Sequence, residues 1–327
     1  MSQRGLVVLL LVLVPASGFA AEQVSRPQDA LGWLNLMAEA PSKVAFSGTY
    51  VHQYGGRMES SRVTHAVDGT GEYEKLVSLD GPAREIVRKN DDIVCYLPDA
   101  KLMKYDRKRA RKFFPALLSN VPDLLENYSP KLGPMDRVAG FDCQWVYLEA
   151  KDGFRFDHRF CAELAAGLLL RSMMISDKME VLEQFGFTQL SMGSLITREQ
   201  IKSDYADQQS AWQADNSALR DSPRMDSGWL VKSLPSGFKK AWEMKRMMSG
   251  KSQPVVHQVY SDGLASVSVF IESPQASTAA IAGPVRQGNY NFFFRSFQNH
   301  AITVIGEVPQ ASLQMIGNSL SEPMPQK

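Results

Sequence analysis

The 327-residue chain is short of the residue types that most enzymes gather at a reacting centre: it has three cysteines and five histidines. His52, His65, His158, His257 and His300 are scattered, and no two His or Cys residues have the close spacing that presents two ligands to one ion. No metal centre and no cofactor is therefore expected. A Gly-x-Ser-x-Gly elbow is missing, as is any glycine-rich phosphate loop, so no catalytic set is expected either. Charge of one sign is lacking as well, with 36 basic against 35 acidic side chains, which gives no footing for nucleic-acid binding. Long apolar runs are absent beyond the N-terminus.

What is present begins with Arg4, an apolar run over residues 6–14, Pro15 and a small-residue stretch ending near Ala20 and Ala21. That order is a secretory signal peptide, too short to cross a bilayer, with cleavage predicted after Ala20. Export to the bacterial periplasm follows. Removal of residues 1–20 takes away one base and no acid, leaving a neutral mature chain. In an oxidising compartment Cys95, Cys143 and Cys161 allow one internal disulfide at most. If residues 151–153 form a tight hairpin turn, Cys143 and Cys161 fall nearly opposite each other. Buried unpaired thiols are the alternative.

Along the mature chain, Leu31, Leu34 and Ala38 share one face of a helix expected over residues 28–40, which Pro41 ends. A β region follows. Residues 46–54 alternate, with Phe46, Gly48, Tyr50, His52 and Tyr54 on one side, and Gly55-Gly56 turns the chain into a strand over 61–66. Further strands are expected at 74–79, 84–88, 93–97, 143–150, 154–162, 168–176 and 181–189, with turns at Asp80-Gly81, Asp91-Asp92 and Asp152-Gly153. Residues 203–227, rich in Asp, Gln, Ser and Ala apart from Tyr205 and Trp212, read as a linker. Beyond it, strands at 255–261, 264–271, 289–295 and 301–308 precede a last helix over 309–320. The organisation is thus a leader (1–20), a first domain (21–202), a linker (203–227) and a second domain (228–327), α+β in class.

One local charge anomaly stands out. Seven bases, including Lys104, Arg107, Lys108, Arg109 and Arg111, fall within residues 101–112, directly before Phe113 and Phe114. These residues are candidates for an amphiphile site, the cations meeting anionic headgroups and the apolar side chains meeting acyl chains. The plainer reading is a solvated loop leading into a core helix.

Several segments carry a resemblance: FSGTYVHQYGGRMESSRVTH from Phe46, LVSLDGPAREIVRKNDD from Leu76, RVAGFDCQWVYLEAKDGFRF from Arg137, LEQFGFTQL from Leu182, LPSGF from Leu234, VYSDGLASVSVFIE from Val259 and VIGEVP from Val304. Together they make the chain similar to the RseB/MucB family of periplasmic sigma-E regulatory proteins. The resemblance implies an N-terminal LolA/LolB-like half-barrel, a curved antiparallel sheet with helices, and a smaller C-terminal α/β domain. It implies a non-enzymatic regulator that binds the periplasmic domain of the anti-sigma factor RseA/MucA and shields it from site-one proteolysis. Lipopolysaccharide or lipoprotein acyl chains would release it. At Cys161 the family pattern has an aromatic residue. Trp229, Phe238, Tyr260, Leu264 and Phe270 are the candidates for forming or supporting the partner surface. A periplasmic lipid or lipoprotein carrier is the alternative function, and homodimerisation stays open.

Overall fold

The computed structural model describes residues 26–107, 114–118, 120–216, 226–248, 251–273 and 283–322. The leader lies outside them. Helix α1 (Ala30–Glu39) opens the described chain, capped by the Asp29 carboxylate, which accepts from the Gly32 N–H at 2.7 Å. Its buried face is Ala30, Trp33, Leu34 and Met37. That face is displaced from the expected Leu31 side, because the i, i+3, i+4, i+7 row centred on Trp33 removes more apolar surface from water. Leu31 is exposed.

A meander follows: β1 (Phe46–Tyr54), β2 (Arg57–Asp68), β3 (Gly71–Ser78), β4 (Glu85–Lys89), β5 (Asp92–Leu97) and β6 (Leu102–Arg107). Helix α2 (Val121–Leu125) then leads into β7 (Tyr128–Val138), β8 (Phe141–Ala150), β9 (Asp157–Glu163), β10 (Leu169–Ile175) and β11 (Val181–Met192). Strand β11 returns to pair with β1, so the eleven strands join in one open sheet ordered β6-β5-β4-β3-β2-β1-β11-β10-β9-β8-β7. The sheet curves around α1 and α2: Phe46, Tyr50, Val63, Tyr128, Val146, Phe160 and Phe187 from its inner face meet Trp33, Leu34 and Leu124 in one core. A bulge between Thr49 and Tyr50 against β11 keeps Phe185 and Phe187 on that inner face.

Cys143 and Cys161 form a disulfide with Cα atoms 5.4 Å apart, inside this core. The connection between β8 and β9 is six residues long rather than a tight turn, and in the ladder Cys143 faces Glu163 while Cys161 faces Trp145, so the bond is diagonal. Cys95 is free and half-buried, and burial pushes its thiol pKa up.

After the short helix α3 (Arg198–Ile201), residues within the stretch read as a linker pack onto the first sheet. Lys75 Nζ reaches Asp204 at 2.5 Å, the rings of Tyr205 and Trp212 gather around Tyr96, and β12 (Gln213–Asp215) adds to β6 as a parallel edge strand. Aromatic side chains in a polar segment find apolar partners this way.

The second unit is a sheet ordered β14-β15-β16-β19-β18-β17, joined by the two-strand pair β13 (Leu230–Val231) and β20 (Leu320–Ser321). Its strands are β14 (Lys239–Arg246), β15 (Val255–Ser261), β16 (Ser266–Glu272), β17 (Gly283–Gln287), β18 (Tyr290–Phe297) and β19 (His300–Gly306), all antiparallel. Helix α4 (Gln310–Asn318) covers one face, where Val267, Val269, Ile271, Ile302 and Val304 meet Leu313 and Ile316. No described helix is long and apolar enough to cross a membrane.

Candidate functional site: the cleft between the two units

The period of two along β16 decides where the second sheet is dry. Val267, Val269 and Ile271 point to α4, which leaves Ser266, Ser268 and Phe270 on the opposite face. On that face Phe270 stacks on His257 with centroids 4.1 Å apart, Trp242 meets His257 edge-on at 4.6 Å, and the Arg246 guanidinium lies over Phe270 at 5.8 Å. The face does not look into bulk water. It is set against the inner face of the first sheet, where His158 and Phe160 of β9, Met173 and Met174 of β10, and Glu183 and Phe185 of β11 complete a cavity of about 590 Å³.

Turns at one rim of the first sheet hold the second unit there. Arg155, between β8 and β9, donates to Asp262, between β15 and β16, at 2.6 Å and to the Ser236 carbonyl at 2.6 Å. The Ser312 hydroxyl at the start of α4 donates to the Phe154 carbonyl. Gly55, at the tip of the β1–β2 hairpin, meets Gly288, at the tip of the β17–β18 hairpin, so closely that a Cβ on Gly55 would lie 2.7 Å from the Gly288 Cα. Both glycines have positive φ, 51° and 64°, and the touching tips leave no room for a side chain at Gly55. Outside this rim, side chains of the β8–β9 and β10–β11 connections, with Arg286, Asn291, Pro309 and Gln310, line a second pocket of about 450 Å³.

The cleft sets aromatic and apolar side chains beside polar ones such as Ser172, Glu183, Arg246, Ser268 and Glu307, a mixture suited to binding. Glu183 is bound to His52 at 2.6 Å, and His52 lies flat on Phe185 at 3.9 Å. Burial pushes the His158 pKa down, against the opposing pull of Asp262, Glu183 and Asp157. Further inside, burial lifts the Tyr50 hydroxyl to about 12, the mark of a dry interior. Among the described residues no group of three or more His, Cys, Asp or Glu is placed to hold a metal ion.

The sequence candidates separate cleanly. Leu264 and Phe270 line the cleft. Trp229, Phe238 and Tyr260 lie on the other side of the second sheet, 6%, 5% and 3% exposed in its core. Lys104 is exposed on β6, five strands from β1 in the sheet, and Arg107 ends that strand. Lys108, Arg109, Arg111 and Phe113 lie outside the described residues. Phe114 is buried in the first core, among Tyr50, Phe185 and Phe187. The sequence reading missed Arg155, Phe185, Trp242 and His257, although two turns that it expected, at Gly55-Gly56 and Asp152-Gly153, fall at the joint.

Residues 29–205 match the MucB/RseB N-terminal domain and residues 223–321 the MucB/RseB C-terminal domain. The chain belongs to the MucB/RseB family. Within that family it is 29% identical over 326 residues to the sigma factor AlgU regulatory protein MucB of Pseudomonas aeruginosa, covering 95% of this chain and 96% of that protein. It is 26% identical over 313 residues to the sigma-E factor regulatory protein RseB of Haemophilus influenzae, covering 94% and 95%. The Pseudomonas aeruginosa MucA/MucB complex contains a chain that superposes with a TM-score of 0.73 at 26% identity, over 90% of this chain and 99% of that one. A further crystal structure of MucB gives 0.59 at the same identity, over 90% and 98%. The α+β class, with an open curved sheet and a smaller second sheet unit, is the one the resemblance implied.

Proposed function

We propose that the chain is a non-catalytic periplasmic regulator of a sigma-E-type envelope stress response. It binds the periplasmic region of an anti-sigma factor in the cleft between its two units, withholds it from site-one proteolysis, and lets go when a lipidic amphiphile binds. The observation that carries this reading is the cleft itself: about 590 Å³, lined from both units and rich in aromatic and apolar side chains. An extended peptide there would be covered on two sides, which is what shielding from a protease requires. In support, the chain superposes better on MucB in the MucA/MucB complex, with a TM-score of 0.73, than on MucB in a separate crystal structure, with 0.59. Residues 21–202 would serve as the amphiphile-sensing domain, 203–227 as the connector and 228–327 as the docking domain.

Release needs no dedicated machinery. A ligand that prefers the partner-free state lowers partner affinity by mass action alone. The test is a competition: the purified mature protein is titrated with the periplasmic domain of an anti-sigma factor of the RseA/MucA type, and lipid A is then added. A complex that resists proteolysis and dissociates as lipid A rises is expected. Undiminished complex at saturating lipid A removes the sensing half, and failure to bind the anti-sigma domain removes the other half.

A further inference from the structure

The inner face of the first sheet is closed at one point by a piece of chain that is neither helix nor strand. Residues 114–118 form no regular element, and Leu117 N–H donates to the Pro115 carbonyl at 3.0 Å, a bond internal to the segment. Two of its side chains are nonetheless buried in the core, with Phe114 and Leu118 only 3% and 6% exposed. Phe114 lies parallel to Phe185 with centroids 5.4 Å apart, 5.1 Å from Phe187 and 5.2 Å from Tyr50. Phe185 is thus sandwiched between His52 and Phe114. Three residues further on, Leu117 packs against the same core and also lines the cleft. One short segment is therefore a wall of both spaces.

We propose that residues 114–118 are a displaceable plug: an acyl chain takes the place of Phe114 in its aromatic cage, and the expelled segment, carrying Leu117, intrudes on the cleft. The proposal rests on the cleft reading above and supplies its regulation. Two physical points favour exchange here over any other part of the core. Pulling out a strand would orphan a ladder of backbone hydrogen bonds, each costly to leave unmade, whereas this segment is anchored by apolar side chains. The exchange is also close to neutral in burial, because about four methylenes of an acyl chain remove as much apolar surface from water as one phenylalanine side chain. Any longer chain tips the balance toward displacement. Coupling must run both ways, so a partner seated in the cleft holds the plug in and weakens acyl binding by the same factor.

The test uses the full mature chain with Cys95→Ser and Phe114→Cys, so that the single free thiol reports on the plug while Cys143 and Cys161 remain joined. Lipid A and a triacylated lipopeptide are added in separate titrations, with binding followed by calorimetry and thiol reactivity by a colorimetric disulfide reagent. Displacement predicts a labelling rate at least tenfold faster at saturation with whichever amphiphile binds, and a slower rate once the anti-sigma domain is added. A rate that falls or stays level while calorimetry records binding overturns the plug and leaves the amphiphile reading standing. Absence of binding heat from both amphiphiles overturns the amphiphile reading and the plug together. Phe114→Trp guards against a misfolded cysteine variant: a bulkier plug should weaken acyl binding at least fivefold, and unchanged affinity overturns the proposal.

Discussion

Arg155 and Asp262, 107 positions apart in sequence, form an ion pair at 2.6 Å in which neither side chain keeps any exposed surface. The pair is fully furnished. Arg155 also binds the Asp152 carboxylate at 3.0 and 3.1 Å and stacks between the rings of Tyr128 and Phe238, at 5.5 and 5.4 Å. Asp262 accepts from the Leu264 and Ala265 N–H groups, which fixes the β15–β16 turn, and from the Tyr128 hydroxyl at 3.4 Å. Burial and the Asp262 charge hold that hydroxyl protonated, well above its ordinary pKa. Removing one member of such a pair leaves its partner buried and uncompensated, a loss of about 3–5 kcal/mol. Asp262→Ala should therefore lower stability by an amount of that order and uncouple the two units. Calorimetry should show two separated transitions in the variant; one transition at the wild-type midpoint would contradict the joint described here.

The Cys143–Cys161 bond closes a loop with a sequence separation of 18, for which loop-closure entropy gives a stabilisation of about 3 kcal/mol. The double variant Cys143→Ala, Cys161→Ala should lose roughly 2–4 kcal/mol in urea unfolding. Oxidised wild type should show one reactive thiol after denaturation, that of Cys95. A count of three thiols would mean that the bond does not form in the exported protein.

Much of the first sheet could be read in advance because its strands alternate cleanly and end in Gly-Gly and Asp-Gly turns. The strands that escaped were β6, which lies in the basic run read as a loop, the short β12, β13 and β20, β17, and two longer strands at sheet edges, β7 and β14. Strand β7 contains Pro130, Gly133 and Pro134, and β14 contains Lys239, Lys240, Lys245 and Arg246. Such residues argue against a central strand, yet an edge strand tolerates proline and uses lysine to discourage further pairing. Composition alone does not separate an edge from a loop. The same limit applied to the site. Leu264 and Phe270 could not be told from Trp229, Phe238 and Tyr260 without knowing which face of β16 meets α4. The Arg155–Asp262 contact carries no local signature at all, since both residues sit in turns whose pairing only the assembled fold determines.

That division of the candidates makes opposite forecasts for two aromatic residues. Phe270 is half-buried at the cleft, so Phe270→Ala should reduce affinity for the anti-sigma domain at least tenfold, about 1.4 kcal/mol or more, with little effect on stability. Trp229 is buried in the second core, so Trp229→Ala should cost about 3–5 kcal/mol of stability. Affinity by calorimetry and stability by urea unfolding, measured on both variants, separate the two effects. Equal affinity in Phe270→Ala would take the partner off this face of the second sheet.

His158 supplies the pH dependence. It lies beside Phe160 in a stacked arrangement at 5.8 Å and edge-on to Tyr128 at 6.0 Å, with one side open to the cleft, and burial lowers its pKa from the ordinary value of 6.5. An imidazole held neutral by the fold binds a proton more readily once the chain unfolds. Its contribution is therefore complete above the unfolded pKa of about 6.5 and is lost as pH falls from there toward the lower native value. The dependence of stability on pH from this one group reaches at most about 1.4 kcal/mol per pH unit. Urea midpoints measured from pH 7.5 down to pH 5 should fall in wild type. His158→Phe, which keeps the ring stack and removes the titrating nitrogens, should flatten that fall by up to one proton's worth. Parallel profiles for the two proteins would show that His158 titrates alike folded and unfolded, and that the interior beside the cleft is wetter than its aromatic lining implies.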